Sequence, residues 1–476
     1  MAVVDFTGVI SNIQIVTGDN TSTFTVTVKD KLSRSTEALA LELSVEEVML
    51  ELSQKDYFSP GDNLDINLAF NGGAVADNVS FEYYHTSSAM WRPLSVAAVS
   101  EPRGRAMSDF TVTLSGTPDV DEDLQIRAKC AGKISATLKV GMAPFEVAGN
   151  DNDTYATRAY VTVIGTDGAP DPSLAGAEFY VKAEGESEYR KVASSLSGKY
   201  ALIEGLTPNV KNYVKVAVDG LRSKATVLNT EEILTLPNSG MEEWCVGTRQ
   251  GNGWWQVDYP SLNTDNQGPW GTMNLLTTSE GNAASLGGAP ACGYSAKSGT
   301  WPTDDAVSGK AAAIQSVGWG KGNTALSFAG WKGKCEHTTA GELYLGVYNA
   351  STKLPDYGYA FASRPSSISF YAKYQPKNSA DYGTAEIRMV DAAGKTIASK
   401  TVNINNTAYE AKTLALDYAP GYAKASSIVV IFKSSGNPDC LPFSTANYNT
   451  PPSANASTSK GYEGSILFVD EITLNY

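Results

Sequence analysis

Tryptophan beside glycine or proline recurs through the second half of this sequence, in Gly253-Trp-Trp-Gln, Gly268-Pro-Trp-Gly, Gly299-Thr-Trp-Pro and Gly318-Trp-Gly. Glycine and proline mark turns, so these tryptophans are expected on loops rather than at alternating strand positions. An aromatic face exposed on a loop can stack on the apolar face of a sugar ring. Trp270, Trp301 and Trp319 are therefore candidate ligand-binding residues, whereas Trp244 holds a core-like position. Arg364, followed by Pro365, offers a planar fork of N–H donors to sugar hydroxyls or to an acidic sugar's carboxylate. Tyr357, in the run Tyr357-Gly-Tyr-Ala-Phe361, adds an aromatic ring close to it in sequence.

Catalytic chemistry has a narrower base. The chain has two histidines, His85 and His337, neither within a zinc-ligand spacing, and it has no nucleophile elbow. What remains is glycoside hydrolysis by two carboxylates, one acting as acid and the other as base or nucleophile. Asp258, Asp304, Asp305, Glu336 and Asp356 lie near the aromatic segments. Loop carboxylates are common, and no pair is singled out as catalytic. Glycan binding without catalysis is the leading reading; a structural or adhesive surface role and a glycoside hydrolase are the alternatives.

Charge supports a ligand recognised by hydroxyls and ring faces. The formal net charge is -14 over 476 residues, which disfavours a nucleic-acid partner because nothing would neutralise phosphates. Residues 236–476 carry 19 acidic against 17 basic side chains, leaving 32 against 20 for residues 1–235. The aromatic-rich half is thus close to neutral. Five cysteines are too few for a disulfide scaffold, and their odd number leaves at least one unpaired within the chain. No run of 18 apolar residues is present to span a membrane.

The elements that must position these residues read as strands throughout. Val9–Val16 and Thr21–Val28 alternate apolar and polar residues around the turn Thr17-Gly-Asp-Asn20, which predicts a hairpin, and Ala38–Leu43 could extend it. Residues 1–48 are accordingly a partial immunoglobulin-like segment. Strands over Asp65–Phe70, Val79–Tyr84, Phe110–Leu114 and Leu124–Lys129 predict an immunoglobulin-like sandwich at 49–140. Residues 141–235 repeat the plan. There Leu206, Pro208 and Tyr213 resemble the fibronectin type III corner, which implies a tyrosine hydroxyl bonded to upstream backbone. After Pro237 the texture changes to long loops between strands such as Ile368–Tyr374, Ala385–Val390 and Ser427–Lys433, with no helical period. The fold class is all-β: tandem immunoglobulin-like sandwiches followed by a large jelly-roll sandwich at 236–476.

The jelly roll carries a more specific resemblance. Asn238-Ser-Gly-Met-Glu-Glu-Trp resembles the opening strand of galactose-binding-like jelly rolls, and Phe468-Val-Asp-Glu-Ile-Thr-Leu resembles their closing strand. Arg364-Pro-Ser-Ser-Ile-Ser-Phe-Tyr-Ala-Lys-Tyr-Gln-Pro, Lys433-Ser-Ser and the closing strand together resemble the putative carbohydrate metabolism family of Bacteroidetes. Met241 stands where that pattern has phenylalanine, and the insertion around Phe443–Gly461 is long. The resemblance implies adjacent first and last strands sharing a structural calcium ion, which assigns Glu242 and Asp470 as metal ligands; hard oxygen donors suit that ion. It also implies that Trp254 or Trp255 caps the core. Polysaccharide or glycan partners are implied, with other surface proteins as further candidates and a membrane reached only through a lipid anchor. A secreted lipoprotein at the cell surface or outer membrane is the expected location, its targeting segment lying outside this sequence.

Overall fold

The computed structural model describes residues 21–26, 39–44, 50–54, 57–70, 79–100, 109–130, 133–248, 256–262, 268–279, 282–286, 289–294, 298–319, 323–327, 330–334, 337–421, 423–441, 445–448 and 463–476. The expected strand Val9–Val16, Trp254, Trp255, Glu336 and most of the insertion at 443–461 lie outside them. Period-two alternation becomes strand almost everywhere, and the only α-helix among the described residues is the single turn Asn274–Thr277. No helix among them is long and apolar enough to cross a membrane. The chain is an all-β assembly of sandwich modules, as its sequence predicts.

It divides into two compact units: one of residues 1–147, 163–180 and 215–226, the other of 148–162, 181–214 and 227–476. The boundary therefore runs through the segment 141–235, whose strands are distributed over both.

In the first unit one antiparallel sheet follows the order 138–140, 124–130, 80–85, 90–100, 109–115, 64–70, 50–54. Strand Met90–Ser100 turns its corner: Leu94 pairs with Phe81, while Ser95 pairs with Ser115, and the register slips between Val96 and Ala98. A strand that changes partners at such an irregularity folds a sheet over on itself. Ile66, Leu68, Phe81, Leu114 and Ile126 fill the space it encloses.

The second unit is dominated by two antiparallel sheets. One has the order 300–303, 311–319, 463–475, 367–375, 410–415; the other 270–272, 342–349, 425–433, 383–391, 396–404. Ile314, Phe370 and Leu467 from the first meet Leu345, Ile387 and Phe432 from the second in one core. Phe370 and Phe432 touch edge to face with centroids 5.0 Å apart, and full burial of rings of this size contributes roughly 1.5–3 kcal/mol each. Strand Arg158–Gly165 adds a pairing of its first four residues with Ala201–Glu204 in the same unit.

Two local expectations are corrected. The corner before the strand Lys211–Val218 is made by Asn212 and not by Tyr213. Asn212 is fully buried; its Oδ1 accepts from Thr207 N at 2.9 Å and its Nδ2 donates to Thr207 O at 2.8 Å. An amide can satisfy donor and acceptor at once, whereas Tyr213 points to the half-exposed face, where Lys182 Nζ lies 5.4 Å from its ring centroid. The expected opening strand at 238–244 is a turn. Asn238 and Met241 adopt positive φ of 46° and 55°, and strand begins only at Cys245.

Candidate functional site

Opening turn and closing strand are neighbours. Ile472 N donates to Ser239 O at 2.9 Å, and the hydroxyl of Tyr476 both donates to Leu234 O at 2.8 Å and accepts from Leu234 N at 3.2 Å. Asn238 folds back on the turn, accepting from Glu243 N at 2.9 Å and donating to Pro260 O at 3.2 Å.

Glu242 and Asp470 are brought to one loop, residues 304–310, between the strands Thr300–Thr303 and Ala311–Trp319. Asp470 is fully buried. Its Oδ2 accepts from Val307 N at 2.8 Å and Ser308 N at 3.1 Å, and its Oδ1 from Glu471 N at 2.8 Å. Glu242 Oε1 accepts from Lys310 N at 2.9 Å. Gly309 is required between them: φ is +50°, and a Cβ would lie 2.1 Å from Glu242 Oε1. Lys373 Nζ pairs with Asp305 on the same loop. A calcium shell needs oxygen donors converging on one point; here both carboxylates accept from backbone N–H groups of the loop. As arranged they form a clamp of carboxylates on backbone amides.

The three candidate tryptophans stand in strands, because their glycine and proline neighbours mark strand ends rather than exposed loop tips. Trp270 is 1% exposed and lies in the core, with its Nε1 donating to Pro237 O at 2.8 Å. Trp319 is buried beside Tyr344 and Val429; its Nε1 donates to Thr339 Oγ1 at 2.8 Å and His337 lies 4.4 Å from it, centroid to centroid. Trp301 is half-buried in the strand Thr300–Thr303. Arg364 is enclosed by Glu231, by backbone carbonyls of Asn152 and Thr154, and by the ring of Tyr155, 4.0 Å away. Burial gives Trp270, Trp319 and Arg364 structural roles in place of ligand contact.

Tyr357 differs: it is 36% exposed and held in place. Gly346 admits the strand Leu354–Tyr357 beside Glu342–Asn349, since at φ +138° a Cβ there would meet Asp356 O at 2.2 Å. The Tyr357 hydroxyl donates to Glu342 Oε2 at 2.7 Å, and its ring meets Tyr344 edge-on at 5.1 Å. Burial first, then the charge of Glu342, pushes its phenol well above the usual range, so it stays a neutral donor. Lys433 Nζ approaches the other Glu342 oxygen at 2.9 Å. On the next strand Glu386 pairs with Ile431 and Arg388 with Val429, facing away from the core that Ile387 and Met389 enter. Arg388 Nε stands 2.8 Å from Glu386 Oε1, yet it makes no aligned hydrogen bond. The distance marks an ion pair whose donor direction is left unused.

This outer sheet face therefore presents a fixed aromatic ring beside two carboxylates and two cations, each cation about one-third exposed. Such a surface has the groups to stack on a ring and to exchange hydrogen bonds with hydroxyls. Glu342, Glu386, Arg388 and Lys433 were missed among the sequence candidates, although the alternation of Ala385-Glu-Ile-Arg-Met389 already turns Glu386 and Arg388 away from the core. The carboxylates considered for hydrolysis are tied to separate elements: Asp305 to Lys373, Asp356 to Asn349 Nδ2 at 3.0 Å, and Asp258 to the strand Gln256–Tyr259.

No family model matches the chain, and no curated protein matches it. Solved structures similar to it include an arabinose-bound GH51 α-L-arabinofuranosidase, at 10% identity and TM-score 0.22 over 51% of this chain and 26% of that one. The enzymatically active domain of the bacteriophage CBA120 tailspike protein 4 follows at 12% and 0.18, over 45% of this chain and 20% of that one. A carbohydrate-binding module of the β-sandwich superfamily matches at 11% and 0.20, over 70% of this chain and 98% of that one.

Proposed function

We propose that this chain is a non-catalytic glycan-binding protein whose C-terminal sandwich engages polysaccharide on the outer sheet face around Tyr357, with the preceding modules acting as spacer. The observation that carries the reading is the Tyr357 ring, one-third exposed and fixed through Glu342 and Tyr344 among groups able to donate and accept hydrogen bonds. Aromatic stacking of this kind contributes about 0.5–1.5 kcal/mol, so Tyr357→Ala is expected to weaken binding by about two- to tenfold. Affinity electrophoresis of the full chain through immobilised plant and bacterial polysaccharides checks it. Retention that survives Tyr357→Ala, or no retention by any polysaccharide, overturns the reading. Release of new reducing ends would replace it with hydrolysis.

A further inference from the structure

A cleft of about 200 Å³ in the second unit is lined by Arg158, Tyr160, Glu204, Ser366, Asp417 and Tyr418, among others. Arg158 and Glu204 are direct cross-strand partners, and opposite charges in that relation ordinarily pair. Here they do not: among the described residues neither Arg158, Glu204 nor Asp417 has an ion-pair partner. Arg158 is instead drawn over aromatic rings, its guanidinium carbon 5.2 Å from the centroid of Tyr155 and 5.9 Å from that of Tyr418. A guanidinium so placed keeps N–H donors available. Some lining groups are already committed: the Tyr418 hydroxyl donates to Pro365 O at 2.8 Å and Ser366 Oγ to Asn475 O at 3.0 Å. The uncommitted groups are one cation and two carboxylates around a half-buried tyrosine, Tyr160, which is braced by Tyr155 and Tyr200 with centroids 6.2 and 6.4 Å away.

We infer that this cleft is a binding site for one neutral sugar ring, separate from the face around Tyr357; the inference rests on the glycan-binding reading above. Vicinal hydroxyls both accept and donate, which matches a guanidinium facing carboxylates that it does not neutralise. The size sets the limit of one ring, since pockets for drug-sized ligands run from ~300 to 1,000 Å³. Two carboxylates against one guanidinium leave the cleft net negative, which selects against acidic sugars.

Saturation-transfer NMR and calorimetric titration of the full chain with methyl glucoside, methyl galactoside, methyl mannoside and glucuronate test the assignment. At least one neutral methyl pyranoside is expected to bind, with glucuronate weaker. Affinity should fall at least tenfold in Asp417→Asn and in Arg158→Gln. Asp417 is exposed, so Asp417→Asn decides the matter even if Arg158→Gln folds poorly. Pyranoside binding that is lost in Tyr357→Ala and kept in Asp417→Asn overturns this site while leaving the sheet-face reading intact. No binding of any methyl pyranoside also overturns it, whatever polysaccharide retention shows.

Discussion

Each of the two units encloses a cationic side chain completely, Lys215 in the first and Arg364 in the second. Arg364 meets Glu231, which is itself only 5% exposed, through Nε at 2.8 Å and its own backbone N–H at 3.0 Å. Carbonyls of Asn152 and Thr154 take further donors. Lys215 Nζ instead reaches Asp119 and Asp121, whose side chains are 35% and 36% exposed, and Val120 O. Burial pulls its pKa down, and only afterwards does the Asp119 hydrogen bond pull it back up. A guanidinium fills a closed shell of planar acceptors; an ammonium tolerates a shell left open to water on one side. The difference teaches which member each ion pair depends on: loss of either Arg364 or Glu231 strands a buried charge, whereas in the Lys215 cluster only loss of the carboxylates does.

Breaking that contrast should give unequal results. Arg364→Ala leaves Glu231 buried and unpaired, and is expected to destabilise the second unit by about 3–5 kcal/mol. Differential scanning calorimetry checks it, and the double change Arg364→Met with Glu231→Leu should recover much of the loss. An unchanged melting temperature in Arg364→Ala would show that the pair is not what fixes residues 148–162 and 227–236 to the sandwich. Lys215→Met, whose carboxylate partners rehydrate freely, should cost roughly 1–2 kcal/mol in the first unit's transition.

The smallest expected effect, seen only in alkali, comes from the phenols around Arg364. Burial pushes Tyr155 up to about 12 and raises Tyr418 as well. A raised folded-state pKa means that the native state holds the proton more tightly. The stabilisation is fully present below the unfolded phenol's pKa near 10 and is lost as pH rises from there through the folded value. Absorbance at 295 nm followed together with circular dichroism should show these phenols ionising only as structure is lost. Titration near 10 with ellipticity intact would contradict the packing.

Much of this was legible in advance. Alternation placed the strands Leu64–Phe70, Leu124–Cys130, Gly383–Asp391 and Ala425–Lys433 within one or two residues, because a strand with one face buried repeats its polarity every second residue. The site was less legible. Glycine beside tryptophan signals a change of direction and says nothing about which side of the sheet the ring enters, so Trp270 reads as loop and lies in the core. Arg364 looked like a ligand fork because Glu231 is 133 residues away, and sequence distance hides such partners. Tyr357 alone kept an exposed ring, for a reason that lies in Gly346 rather than in its own neighbours.

The Tyr476 hydroxyl, bonded to both the N–H and the carbonyl of Leu234, places residues 234 and 476 side by side. A domain whose entry and exit coincide can be grafted as a cassette into a surface loop of another protein, or reopened elsewhere with its old ends fused, with little strain. The sheet-face contacts around Tyr357 could in that way be carried onto an unrelated scaffold, whereas the cleft, whose Arg158, Tyr160 and Glu204 precede Leu234, would stay behind.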